Sequence, residues 1–153
     1  MQWLELKIPP VLVWLAVAGA MFGVARIFPS VSFELAGSTA IALALAALGV
    51  TVTLAGIAAF RRQRTTVNPL DPSASSSVVS DGVYRFSRNP MYLGFLLILA
   101  GWAVYLSNAG AALFLPAFIA YMNLFQIWPE ERALLAKFGS EFAQYMSRVR
   151  RWL

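Results

Sequence analysis

The residues of this chain best equipped for chemistry stand in two short stretches. In "SRNPMYLG", Ser87 to Gly94, the cation Arg88 and the amide Asn89 precede Pro90, Tyr92 and Gly94 at the head of a long apolar run. In "WPEERALL", Trp128 to Leu135, the adjacent carboxylates Glu130 and Glu131 follow Pro129 where another apolar run ends. An arginine fork suits a carboxylate or phosphate. A carboxylate pair can hold an ammonium or hydroxyl group, or take a proton. The rest of the inventory narrows the choice, because the 153 residues include no cysteine and no histidine. Thiolate nucleophiles, disulfides and zinc–thiolate sites are therefore excluded, along with the commonest metal ligand and the usual neutral-pH acid or base. No metal site is expected.

Each stretch also has a purely structural reading. Asparagine favours the N-cap and proline the first helical position, so Asn89-Pro90 marks a helix start. Pro129 followed by Glu130 and Glu131 marks another, with two acids at the positive end of the helix dipole. Arg88 fits this reading less well. A cation just before a helix N-terminus opposes the dipole unless an anion is also present. Positive charge at a membrane edge explains the arginine; an anionic ligand explains it together with the exposed backbone N–H groups.

The elements that must position these groups are apolar. Hydrophobic residues make up 59% of the chain and charged ones only 12%, where a soluble domain carries about a quarter charged. Lipid is the expected solvent. Four apolar runs, 8–28, 35–60, 91–106 and 109–128, approach the roughly 20 residues that cross a bilayer core. The first run is too long for a signal peptide and lacks its small-residue cleavage site, so it is expected to remain as a span. Turns at Pro29-Ser30 and Ser107-Asn108 are short, whereas 61–89 contains "NPLDPSASSS" and reads as a surface loop. The second run is rich in alanine and glycine, which let helix backbones approach closely in lipid.

Charge sets the orientation. The net charge of +5 comes from clusters at Arg61, Arg62 and Arg64, at Arg85 and Arg88, and at Arg148, Arg150 and Arg151. Each flanks an apolar run and none is interleaved with aromatics, which argues against a nucleic-acid partner. The positive-inside rule then places both termini and the long loop in the cytoplasm. No charged residue falls near the middle of a run, and only Asn123 and Gln126 lie inside the fourth, which disfavours a transporter. After Trp128, apolar residues recur every three or four positions over 129–151, with a break expected at Gly139-Ser140. This amphipathic helix is expected to lie in the membrane interface or fold back over the cytoplasmic ends of the spans.

"GVYRFSRNPMYLG", followed some thirty residues later by "PEERALLAKFGSEFAQYMSRVRR", resembles the isoprenylcysteine carboxyl methyltransferase and phospholipid N-methyltransferase group of membrane enzymes. The likeness covers about Ser80 to Arg151; the first two runs share only their hydrophobicity. It implies S-adenosylmethionine as methyl donor, held at the cytoplasmic ends of the last spans. Carried over by position, the cofactor-binding residues are Arg88, Asn89, Pro90, Tyr92, Gly94, Glu130 and Glu131. The two glutamates are also the catalytic candidates, and Tyr145 and Arg148 are the acceptor-binding ones. Two departures stand out: Asn89 occupies a position that is often histidine, and Arg150 follows Val149 where a proline is common.

The expected fold class is therefore an all-α integral membrane protein of one domain, with four transmembrane helices and a cytoplasmic amphipathic C-terminal helix. The expected activity is S-adenosylmethionine-dependent methylation of a lipid-like or membrane-partitioning acceptor at the cytoplasmic face, with the bilayer as its other partner. A carboxylate or thiolate acceptor needs no base, whereas an amine must first lose a proton, with Glu130 or Glu131 the nearest candidate. Adjacent helical positions point about 100° apart, so the two glutamates are expected to have different tasks. The alternatives are a non-catalytic helix-packing or lipid-binding protein and, third, a small transporter.

Overall fold

Proline opens the first helix and glycine the approach to the second. In the computed structural model, which describes residues 4–63, 68 and 70–153, α1 spans Pro10–Ile27 with proline in its first turn. Helix α2, Ser38–Arg62, follows Gly37 at φ 74°, a left-handed conformation that glycine adopts without a Cβ penalty. Helix α3 is Pro90–Leu106. A last helical run joins α4 (Ala109–Ala112), α5 (Phe114–Met122), a π turn (Asn123–Ile127) and α6 (Trp128–Phe138). Gly139, at φ 52°, separates it from α7, Ser140–Arg148, where the sequence predicts the break. Arg64 of the first basic cluster and Pro69 of the Pro/Ser-rich stretch lie outside the described residues.

Among the described residues, three helical runs are long and apolar enough to cross a membrane: 10–27, 38–62 and 109–138. The expected span 91–106 forms α3, whose 17 residues fall just short of that length. Leu12, Leu15, Phe22, Leu43, Leu54 and Leu113 all stand exposed on the outside, an apolar surface that water does not tolerate in a monomer. The chain is an integral membrane protein.

The α2–α3 contact is the tightest in the molecule. Ala42, Gly49 and Gly56, seven residues apart, are the buried residues of α2. A Cβ on Gly94 would meet Thr53 Oγ1 at 2.0 Å and the Gly49 carbonyl at 2.5 Å, and one on Gly101 would meet the Ala42 carbonyl at 2.7 Å. Nothing larger than hydrogen fits, so these glycines lock the register of α3 and aim its N-terminus. Indole N–H groups tie α1 to α3, Trp14 to the Phe95 carbonyl and Trp102 to the Ala18 carbonyl, both at 3.1 Å. Met21, Leu99, Phe118, Met122 and Ile127 form the fully buried centre of this bundle.

Two local expectations give way. Pro129 does not start a separate helix; it sits inside a continuous run. Proline lacks the N–H that a regular helix would donate to the Phe125 carbonyl. The N–H of Leu6 takes its place at 3.0 Å, and the wider π turn just before relieves the ring. The 61–89 segment is not simply a surface loop either. Val79, Tyr84 and Ser87 are buried, and with Phe142 and Tyr145 of α7 the first two form a second apolar cluster over the ends of the helices. Helix α7 packs back onto this segment and onto Ala59, Phe60, Leu134 and Phe138 at the ends of α2 and α6.

Candidate active site

Beneath that second cluster lies a small cavity of about 90 Å³. Its wall joins the two stretches singled out by the sequence: Arg88, Asn89 and Tyr92 from the start of α3, and Glu130 and Glu131 from α6. Tyr84, Phe142 and Tyr145 close it from the folded-back segments, and Phe60 from the end of α2.

The two glutamates have different surroundings. Glu131 is 11% exposed and answers two cations. Arg88 Nη2 approaches Glu131 Oε1 at 2.7 Å, and Arg151 Nη2 approaches Oε2 at 2.5 Å. Arg88 also donates to the Met146 and Val149 carbonyls, and Arg151 lies 5.7 Å over the Trp128 ring. Such a cluster is a brace: one carboxylate ties two arginines and so fixes the C-terminal segment over the site. The segment is held further by the Arg88 N–H on the Arg150 carbonyl at 2.9 Å, and by Ser87 Oγ and Asn89 Nδ2 on the Arg151 carbonyl at 3.3 and 3.0 Å.

Glu130, by contrast, meets uncharged donors. Its Oε1 accepts from the Tyr92 hydroxyl at 2.5 Å and from Gln126 Nε2 at 2.8 Å. No ion pair involves it among the described residues. Glu130 is thus oriented by neutral donors, whereas Glu131 is met by two arginines. Burial raises the Tyr84 and Tyr145 phenols above the ordinary tyrosine range, with Arg88 opposing the shift at Tyr145. Both therefore stay protonated at neutral pH, and Tyr145 donates to the Tyr84 carbonyl at 2.8 Å.

Of the other sequence candidates, Asn89 lines the cavity, whereas Pro90, Gly94 and Arg148 do not. Asn89 holds the N-cap position of α3 but makes no side-chain cap; its amide serves the Arg151 carbonyl instead. Pro90 is buried in the first turn of α3, Gly94 is the α2 contact described above, and Arg148 is exposed, donating to the Gln144 carbonyl. Gln126, Arg151 and Tyr84 are site residues that the sequence does not single out. A signal existed for Gln126, a polar residue in an apolar run and four residues before Glu130, the spacing of helical neighbours.

At one end of the apolar helical bundle, the last helices thus enclose a cavity lined by Arg88, Glu130, Glu131 and the phenols of Tyr84, Tyr92 and Tyr145. The family model described as phospholipid methyltransferase matches residues 38–141, and the chain belongs to that family. An uncharacterised protein of Haemophilus influenzae is 49% identical over 63 residues, 41% of this chain and all of its own length. Methanethiol S-methyltransferase 1 of Bradyrhizobium diazoefficiens is 43% identical over 67 residues, 44% of this chain and 22% of that protein. Protein-S-isoprenylcysteine O-methyltransferase of Schizosaccharomyces pombe is 31% identical over 72 residues, 47% of this chain and 30% of that protein. The chain thus spans less than a third of the two named methyltransferases. No solved structure matches it.

Proposed function

We propose that this chain is an S-adenosylmethionine-dependent methyltransferase acting on a lipid-like or membrane-partitioning acceptor at the cytoplasmic membrane face. The observation that carries the reading is the cavity itself, where both sequence stretches converge on a paired carboxylate–arginine brace and a second carboxylate without a counter-cation. The donor set fits the cofactor. Arg88 and Arg151 bring two positive charges against the one of Glu131, and the surplus suits the carboxylate of the methionine portion. Glu130 suits its ammonium or ribose hydroxyls, and the rings of Tyr84, Phe142 and Tyr145 suit the adenine or the sulfonium. S-adenosylmethionine, when bound, supplies a methyl already activated by its sulfonium. The protein then has to align the acceptor and exclude water, which is catalysis by proximity. For an acceptor that must lose a proton, Glu130 is the base.

The acceptors in the relatives' names are methanethiol and a protein S-isoprenylcysteine. In this reading α3 completes four spans, and both termini, the 61–89 segment and the cavity face the cytoplasm, where the flanking arginines belong. The test is methyl transfer from radiolabelled S-adenosylmethionine by the purified protein in lipid nanodiscs, offered an alkyl thiol, a farnesylcysteine carboxylate and a phospholipid amine. Transfer to one of them above the level of heat-denatured protein is expected. Transfer to none would favour a non-catalytic, lipid-binding role.

A further inference from the structure

The methyltransferase reading assigns no task to Gln126, yet its placement is unusual. It is 2% exposed beside Met122 and Ile127, which are fully buried. An apolar side chain would fill that place without desolvating an amide. Gln126 belongs to the π turn Asn123–Ile127, and such turns are frequent at functional sites. Its Nε2 reaches Glu130 Oε1 at 2.8 Å, and the Tyr92 hydroxyl reaches the same oxygen at 2.5 Å from α3. Trp152 anchors the turn from the other side, its indole N–H donating to Asn123 Oδ1 at 3.2 Å.

We propose that Gln126 is a positioning residue: with Tyr92 it clamps one oxygen of Glu130 and so presents that carboxylate to the ligand in the cavity. Two donors on one oxygen fix the plane of the carboxyl group, a different arrangement from the two arginines that meet Glu131. The inference rests on the methyltransferase reading, and it makes the π turn part of the site.

Calorimetric titration of the full chain in detergent with S-adenosylhomocysteine tests it. Gln126→Met keeps length and volume but removes the donor; it should bind about tenfold more weakly with a similar melting temperature. Gln126→Glu can share a proton with Glu130 and should recover part of that loss, whereas a packing role would favour methionine. In a Glu130→Ala background, where no carboxylate remains to be held, Gln126→Met should change affinity less than twofold. Wild-type affinity in a folded Gln126→Met protein, or losses that multiply in the Glu130→Ala background, would overturn the clamp alone. If Gln126→Met fails to fold, Tyr92→Phe, lacking only one oxygen, reads the same clamp by the same two criteria. A wild-type chain that binds no S-adenosylhomocysteine sinks the methyltransferase reading and the clamp with it.

Discussion

The two ends of the helical bundle solve the same problem with opposite results. At the far end, the links 28–37 and 107–108 are gathered by Asn108, which is 1% exposed. Its Nδ2 donates to the Phe28 carbonyl at 3.0 Å and to Ser32 Oγ at 2.9 Å, while its Oδ1 accepts from the Ala111 N–H at 3.0 Å. The Phe33 N–H meets the Ser107 carbonyl at 2.8 Å. One uncharged side chain closes that end, and its hydrogen bonds are used up in doing so. At the near end, Arg88, two carboxyl groups and three phenols line a cavity instead of filling it. Polar groups spent on one another mark a closure; polar groups arranged around space mark a ligand site.

Breaking the near end should cost most. Glu131→Gln leaves Arg88 and Arg151 without their shared counter-charge in a site only 11% exposed at Arg88. Losing one partner of a buried pair costs about 3–5 kcal/mol, so thermal unfolding should show a larger drop than for any other substitution named, with cofactor binding lost as well. Asn108→Ala should cost about 2 kcal/mol, because it orphans buried backbone groups at the far end. Its melting temperature should fall while S-adenosylhomocysteine affinity stays at the wild-type value. That dissociation of stability from binding is what separates a closure from a site. The smallest effect belongs to Arg148→Ala: the side chain is exposed, so stability should change by less than about 0.5 kcal/mol. A large loss of methyl transfer in that variant would instead draw the acceptor out along the outer face of α7.

Much of this contrast is legible in the sequence because it rests on local rules. Apolar runs fixed by length place the helices, Gly139 marks the turn before α7, and the alanine- and glycine-rich second run marks a helix open to close approach. What escapes is long-range. Asn89 has a good N-cap sequence, yet its amide is drawn to the Arg151 carbonyl, 62 residues away. Pro129 reads as a helix start because nothing nearby indicates that Leu6 will satisfy the Phe125 carbonyl. Val78, Val79 and Tyr84 carry no periodicity, so their burial under α7 follows from tertiary packing alone. Gln126 falls between: its spacing to Glu130 is local, but the π turn that aims it is not.

The most direct measurement is calorimetric titration of the detergent-purified wild-type chain and Glu130→Gln with S-adenosylhomocysteine. Glutamine keeps the size and an acceptor oxygen while removing the charge, so it isolates what the carboxylate without a counter-cation contributes. The account predicts saturable binding by the wild type and at least tenfold weaker binding by the variant, a difference of about 1.4 kcal/mol, with the fold retained. Absence of saturable wild-type binding at millimolar ligand, or equal affinities for the two proteins, would contradict it.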